Sequence, residues 1–144
     1  MKRIGILFTG IISGIFLGAL LWLVQRLTSL KVYTLLVNVD YIPVLKEWNM
    51  GSFIEFSLHL IVSTLLVFML YEIFKRMSMA YSLLPYVLAN GAIGLLLYGT
   101  TAFSQRTPDL FDFYSLSYWL LGHLLYGVVV ALLMKKLGRA LHER

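Results

Sequence analysis

Cysteine is absent from all 144 residues of this chain. That excludes disulfides, thiolate metal sites and thiol nucleophiles. Charge is scarce: 13% of residues are Asp, Glu, Lys or Arg, against about 25% in an ordinary soluble domain. No Lys or Arg lies deep in an apolar stretch, and there is no row of intramembrane carboxylates to drive a proton-coupled pump. A Walker loop, a GxSxG elbow, an HExxH helix and a dinucleotide fingerprint are all missing. The formal net charge is +5, yet no basic patch interleaved with aromatics stands in a soluble segment, so nucleic acid is not an expected partner.

What is present is hydrocarbon. The chain is 60% hydrophobic with a mean hydropathy of +0.83, and most of it lies in four long stretches. About 20 apolar residues in a helix cross roughly 30 Å of hydrocarbon. The stretches predict spans over Ile4–Gln25, Ile54–Phe74, Met79–Gly99 and Ser117–Leu137. Helices are the open-ended solution, because backbone groups find no water in lipid. The expectation is an all-α, integral membrane four-helix bundle, up-down-up-down, forming a single transmembrane domain over residues 1–144. Met1-Lys2-Arg3 before an apolar run resembles a signal peptide, but that run is long for one and no small-x-small site precedes Trp22, so it reads as a retained span.

Orientation follows from the basic residues. Lys2, Arg3, Lys75, Arg76, Lys135, Lys136, Arg139 and Arg144 fall on one side, and Arg26, Lys31, Lys46 and Arg106 on the other. The richer side is expected to be cytoplasmic, with both termini inside. The poorer side gathers Asp40, Glu47, Glu55, Asp109 and Asp112, and an interfacial aromatic belt of Trp22, Trp48, Tyr118 and Trp119. The short link Lys75-Arg76-Met77-Ser78 implies that spans two and three are antiparallel neighbours. Leu30–Val39 is apolar enough to extend the first helix or to lie in the interface. Thr107-Pro108-Asp109 signals a turn.

Polar groups within spans are costly and therefore point to function by default. His59 and His123 are each placed about 8–9 Å below the outer boundary, at 1.5 Å per residue. Ser63 is one turn deeper than His59 on the same face, Asn90 of the third span comes to that depth, and Glu55 is one turn above His59. His59, His123, Asn90, Ser63 and Glu55 are therefore expected to form one polar or ligand-binding cluster. The same residues also read as interhelical hydrogen bonds. Two histidines at one depth would suit axial haem ligation, but a metal site would need a third ligand, from Glu55 or Asp112. No cofactor and no metal is expected, and no catalytic residue is assigned. Ser52-Phe-Ile-Glu55 also spells a capping box, and Glu72 stands three and four residues before Lys75 and Arg76, at ion-pair spacing. Pro85 is a candidate helix kink.

Gly10, Gly14 and Gly18 repeat every fourth residue, the small-xxx-small pattern of close helix contact, within the bundle or in a homodimer. Gly91 and Gly94 make a similar patch, and Gly127 would admit a neighbour one turn below His123. Aligning His59 with His123 also matches Leu60 with Leu124, Ser63 with Gly127 and Lys75 with Arg139. Duplication and coincidence both account for that.

Four spans, with the fourth opening His123-Leu-Leu-Tyr126-Gly127, resemble small bacterial inner-membrane proteins of the YagU and YqhR kind. The resemblance covers the topology and one short motif. It implies a bacterial plasma-membrane location and brings no site residues. The expected function is a non-enzymatic membrane protein acting through interaction, in an accessory or assembly role, with a membrane-protein partner or a second copy. The alternatives are a small-solute or ion translocator, with His59, Asn90 and His123 lining an outward-facing cavity, and a haem-binding membrane subunit.

Overall fold

The computed structural model describes residues 2–39 and 51–142. They form an all-helical bundle of α1 (Lys2–Thr28), α2 (Val32–Val37), α3 (Ser52–Arg76), α4 (Leu83–Tyr98), a 3-10 turn over Gly99–Phe103, and α5 (Phe113–His142). Four segments are long and apolar enough to cross a membrane: α1, α3, α4 with its 3-10 extension, and α5. Large apolar side chains stand exposed along them, among them Leu7, Phe8, Leu65, Leu96 and Leu132. Apolar surface on that scale is what a helical bundle surrounded by lipid would present. The interior is an apolar core, with Leu21, Val67, Trp119 and Val130 among its residues, into which Ser13, Ser63, Asn90, Ser115 and His123 are also buried. Lys46, Trp48, Asp40, Glu47 and Arg144 lie outside the described residues.

The helix α1 is the hub, packing along both α3 and α5. Its glycine stripe makes the first contact possible. A Cβ on Gly10 would stand 2.5 Å from the Thr64 Cα, and one on Gly14 would stand 2.8 Å from the Ser63 Oγ. Gly18 receives the Phe56 ring. The stripe is thus filled from within the chain. On the other side Gly122 of α5 meets Leu21 and Leu17 of α1, and α4 lies along α5 with Gly127 against the Tyr86 and Val87 backbone. The start of α1, the end of α5 and the turn after Arg76 share one end of the bundle, the termini end. The end of α1, the start of α3 and the loop before α5 share the far end.

The helices α3 and α4 are not neighbours along their length, contrary to the expectation from their short link. The link holds them together at one end only. Met79 N–H donates to the Phe74 carbonyl at 2.7 Å, Ser78 takes a positive φ of 59°, and the Phe74 and Tyr86 rings meet edge-on with centroids 4.9 Å apart. Beyond this knot α3 follows α1 and α4 follows α5. Glycine-lined contacts draw each helix to a different partner, and the short turn cannot oppose that.

Other boundaries also shift for physical reasons. Residues 79–82 are turn, so α4 starts at Leu83 and Pro85 sits in its first turn, where its missing N–H has no carbonyl to lose. No kink follows. Residues 30–39 do not extend α1. Ser29 takes φ 62° and turns the chain back, so that Val32 and Leu35 of α2 are buried against the bundle. Gln25 clamps this return: its Oε1 accepts from Thr34 N–H at 2.9 Å and its Nε2 donates to Thr34 Oγ1 at 3.0 Å. Trp119 leaves the expected belt for the core, where its Nε1 donates to the Gly94 carbonyl at 2.7 Å. Trp22 stays half-exposed, with the Arg26 guanidinium 5.3 Å from its ring centroid. Glu72 forms no ion pair with Lys75 or Arg76 among the described residues.

The glycine contacts can be ranked. Alanine at Gly127 would press on the Tyr86 and Val87 backbone, which cannot rotate away, whereas Gly99 faces open space. Gly127→Ala should cost about 1–3 kcal/mol and Gly99→Ala close to nothing, read as the shift in thermal unfolding midpoint in detergent.

Candidate functional site

The divergence of α3 and α4 leaves a cavity of about 190 Å³ in the far half of the bundle. Its walls are mostly apolar, with Leu17 from α1, Leu35 and Leu36 from α2, Leu58 and Val62 from α3, and Ile93 and Leu97 from α4. It opens sideways between α3 and α4, because Val62 and Leu97 line it while remaining 59% and 39% exposed. Four of the five residues expected to cluster line this space: His59, Ser63, His123 and Glu55.

Three of them bond to backbone carbonyls, two across a helix contact and one within its own helix. His59 of α3 bonds through Nε2 to the Gly14 carbonyl at 3.0 Å. Ser63 Oγ donates to the Gly10 carbonyl at 2.8 Å. Tyr126, one turn below His123 by sequence, reaches across from α5 to Ser63 Oγ at 2.9 Å. His123 bonds through Nδ1 to the Trp119 carbonyl at 3.0 Å. Its ring lies 4.3 Å, centroid to centroid, from Trp119, in space left by Gly94, where a Cβ would come 2.7 Å from the His123 Cγ. Both rings and the Ser63 hydroxyl are engaged with backbone carbonyls rather than with one another.

The fifth expected residue departs. Asn90 is fully buried, its Nδ2 donates to the Tyr86 carbonyl of its own helix at 2.8 Å, and it does not line the cavity. Equal depth brought it to the right level, but its angular position on α4 turns it away. The capping box fails as well. Gly51 caps α3 without a side-chain bond, and Glu55 instead pairs with Arg106, whose Nη1 and Nη2 both stand 3.3 Å from its Oε1. The Glu55 side chain is 8% exposed and that of Arg106 is 51%, so a buried acid meets a half-solvated cation.

Glu55 also borders a second, wider space of about 510 Å³ at the far end, lined by Gln25, Arg26, Tyr33, Thr34 and Arg106. This vestibule is polar and open. Burial, and then the charge of Glu55, raise the Tyr33 phenol above its ordinary pKa. The two spaces thus meet at Glu55.

Sequence reasoning missed several cavity residues. Tyr126 and Trp119 carry no distinctive signal in an aromatic-rich helix. Asn38 followed an apolar run read as interface. It is buried, and neither its Nδ2 nor its Oδ1 has a hydrogen-bond partner among the described residues. Thr100 lies in the 3-10 extension. Among the described residues no three His, Cys, Asp or Glu side chains gather to hold a metal. The cavity is close in size to the ~150 Å³ void that takes one benzene ring, several-fold short of a porphyrin.

The loop closing the far end is tied by its acids. Tyr98 OH donates to the Asp109 and Asp112 carbonyls, both at 3.0 Å. Asp112 caps α5: Oδ1 accepts from Tyr114 and Ser115 N–H at 3.1 and 3.2 Å, and Oδ2 from Ser115 Oγ at 2.7 Å.

Comparison with known proteins matches the chain to no family model, no curated protein and no solved structure.

The Ser115 hydroxyl, with the Ser115 and Tyr114 amides, holds the Asp112 carboxyl below the usual carboxylate range. A pKa lowered by folding adds stability above the unfolded value and loses it as pH falls through the folded one. Asp112→Ala should therefore cost about 1 kcal/mol at pH 7. The difference from the parent should begin to narrow below about pH 4 and go on closing as pH falls through the lower folded value, as followed by thermal unfolding in detergent across a pH series.

Proposed function

We propose that this chain is a non-enzymatic multi-pass protein of the bacterial plasma membrane, with both termini cytoplasmic, that takes a small amphipathic ligand into the cavity of its outer half. The observation that carries the reading is the cavity itself. It is apolar on most sides, bears two histidines from different helices, and lies between a polar vestibule and a gap toward lipid. Ligand sites are largely apolar, with a few placed polar groups that set orientation. The orientation rests on the basic residues, eight on the termini side against four on the far side. On that orientation the vestibule faces outward, as in the translocator alternative.

A second reading has its own support. Ser63 bonds across helices to the Gly10 carbonyl and to Tyr126. Such bonds fix helix register and serve a protein that acts by contact with a membrane partner. The absence of native cysteine makes the two readings separable. In native membranes Ser63→Cys should react with a small aqueous methanethiosulfonate added from outside, at least tenfold faster than the cavity-remote Asn90→Cys. Equal silence at both positions would favour the contact reading.

A further inference from the structure

Apart from Asn38, the polar side chains of the cavity wall have already committed their hydrogens. Ser63 gives its hydroxyl hydrogen to the Gly10 carbonyl, so the Tyr126 hydroxyl must donate to Ser63 Oγ. Thr100 donates to the Leu97 carbonyl at 2.7 Å, and Trp119 Nε1 to the Gly94 carbonyl. A carbonyl only accepts, so the His59 Nε2 and His123 Nδ1 facing Gly14 and Trp119 carry the ring hydrogens. In a neutral imidazole the remaining nitrogen is then an acceptor. That leaves His59 Nδ1 and His123 Nε2 as lone pairs on rings that border the cavity, with the Glu55 carboxylate, an acceptor only, at its junction with the vestibule. Among the described side chains of the wall, Asn38 alone keeps an uncommitted donor.

We propose that the cavity selects a ligand whose polar end donates hydrogen bonds, a short-chain or ring-bodied alcohol, and discriminates against isomers that can only accept. This deepens the ligand-site reading above and rests on it. At either histidine an acceptor-only group would set lone pair against lone pair, and a desolvated polar group without a partner is costly; Asn38 is the one described side chain of the wall that could meet such a group. An alcohol instead gives its hydrogen to a histidine nitrogen and lays its apolar body along Leu17, Leu58 and Ile93. The side opening between Val62 and Leu97 admits it from the bilayer, where such molecules concentrate.

The test uses the full chain in lipid nanodiscs with Trp22→Phe and Trp48→Phe, leaving Trp119 as the sole tryptophan. Quenching of Trp119 by 8-bromooctan-1-ol reports occupancy. Competition is then measured between two isomers, 1-octanol and heptyl methyl ether, at equal mole fraction in the lipid. The alcohol should displace the quencher about tenfold better, the ratio one net hydrogen bond sustains. His123→Leu, and separately His59→Leu, should shrink that ratio while ether binding persists. Equal displacement by both isomers overturns the donor selectivity and leaves the ligand site standing. Selectivity unchanged in both histidine variants overturns the assignment of the acceptors. Absence of saturable quenching overturns the ligand site, and this inference with it. The isomer comparison is made on intact histidines, so a variant that fails to fold does not remove the test.

Discussion

The close seating of α3 on α1 governs the rest of the bundle. Gly10 and Gly14 strip one face of α1 to its backbone, and Ser63 and His59 bond directly to the carbonyls of those same glycines. In hydrocarbon there is no hydrophobic gain in bringing two helices together. Close van der Waals contact and interhelical hydrogen bonds must do it. Both act here at one place. With α3 drawn to α1, and α4 drawn to α5 through Gly94 and Gly127, two tight antiparallel pairs form. Nothing comparable joins α3 to α4 beyond their shared turn. The cavity is the space that this pairing leaves.

Its polar character follows from the same contacts. A histidine or serine that bonds to a neighbour's carbonyl must stand near the helix–helix seam, and the seam borders the gap. Residues that hold the fold are therefore also residues that line the site. The structural and ligand readings of His59 and Ser63 are two faces of one geometry. His123 differs, because it bonds to its own helix and could be replaced with less effect on how α5 meets its neighbours.

The spans were legible because apolar length is a one-dimensional property, and their order and antiparallel sense came with it. Grouping His59, Ser63, His123 and Glu55 was legible from depth, since 1.5 Å per residue fixes height in a membrane. Angle was not. Asn90 shared the height and pointed elsewhere, and Trp119 sat one residue from the exposed Tyr118 yet turned inward. Pairwise packing was also hidden. The four-residue link argued for α3 beside α4, but local glycine surfaces outweighed chain connectivity. Glu55 shows a competition of another kind. Its sequence neighbourhood spelled a cap, while Arg106, 51 residues away, offered a full charge, and a full charge is the stronger partner for a carboxylate than a backbone amide.

The hinge-like joining of α3 and α4 has a mechanical side. The two helices are tied at the turn after Arg76 and by the Phe74–Tyr86 ring contact, and are free of one another toward Val62 and Leu97. Any change in the width of the gap alters the protein's cross-section in one leaflet and leaves it fixed in the other. The bundle is in that sense a wedge, closed at one end and spread at the other. On the orientation proposed above the spread end would lie in a single monolayer, so the chain packing of that monolayer would set the lateral pressure on the gap.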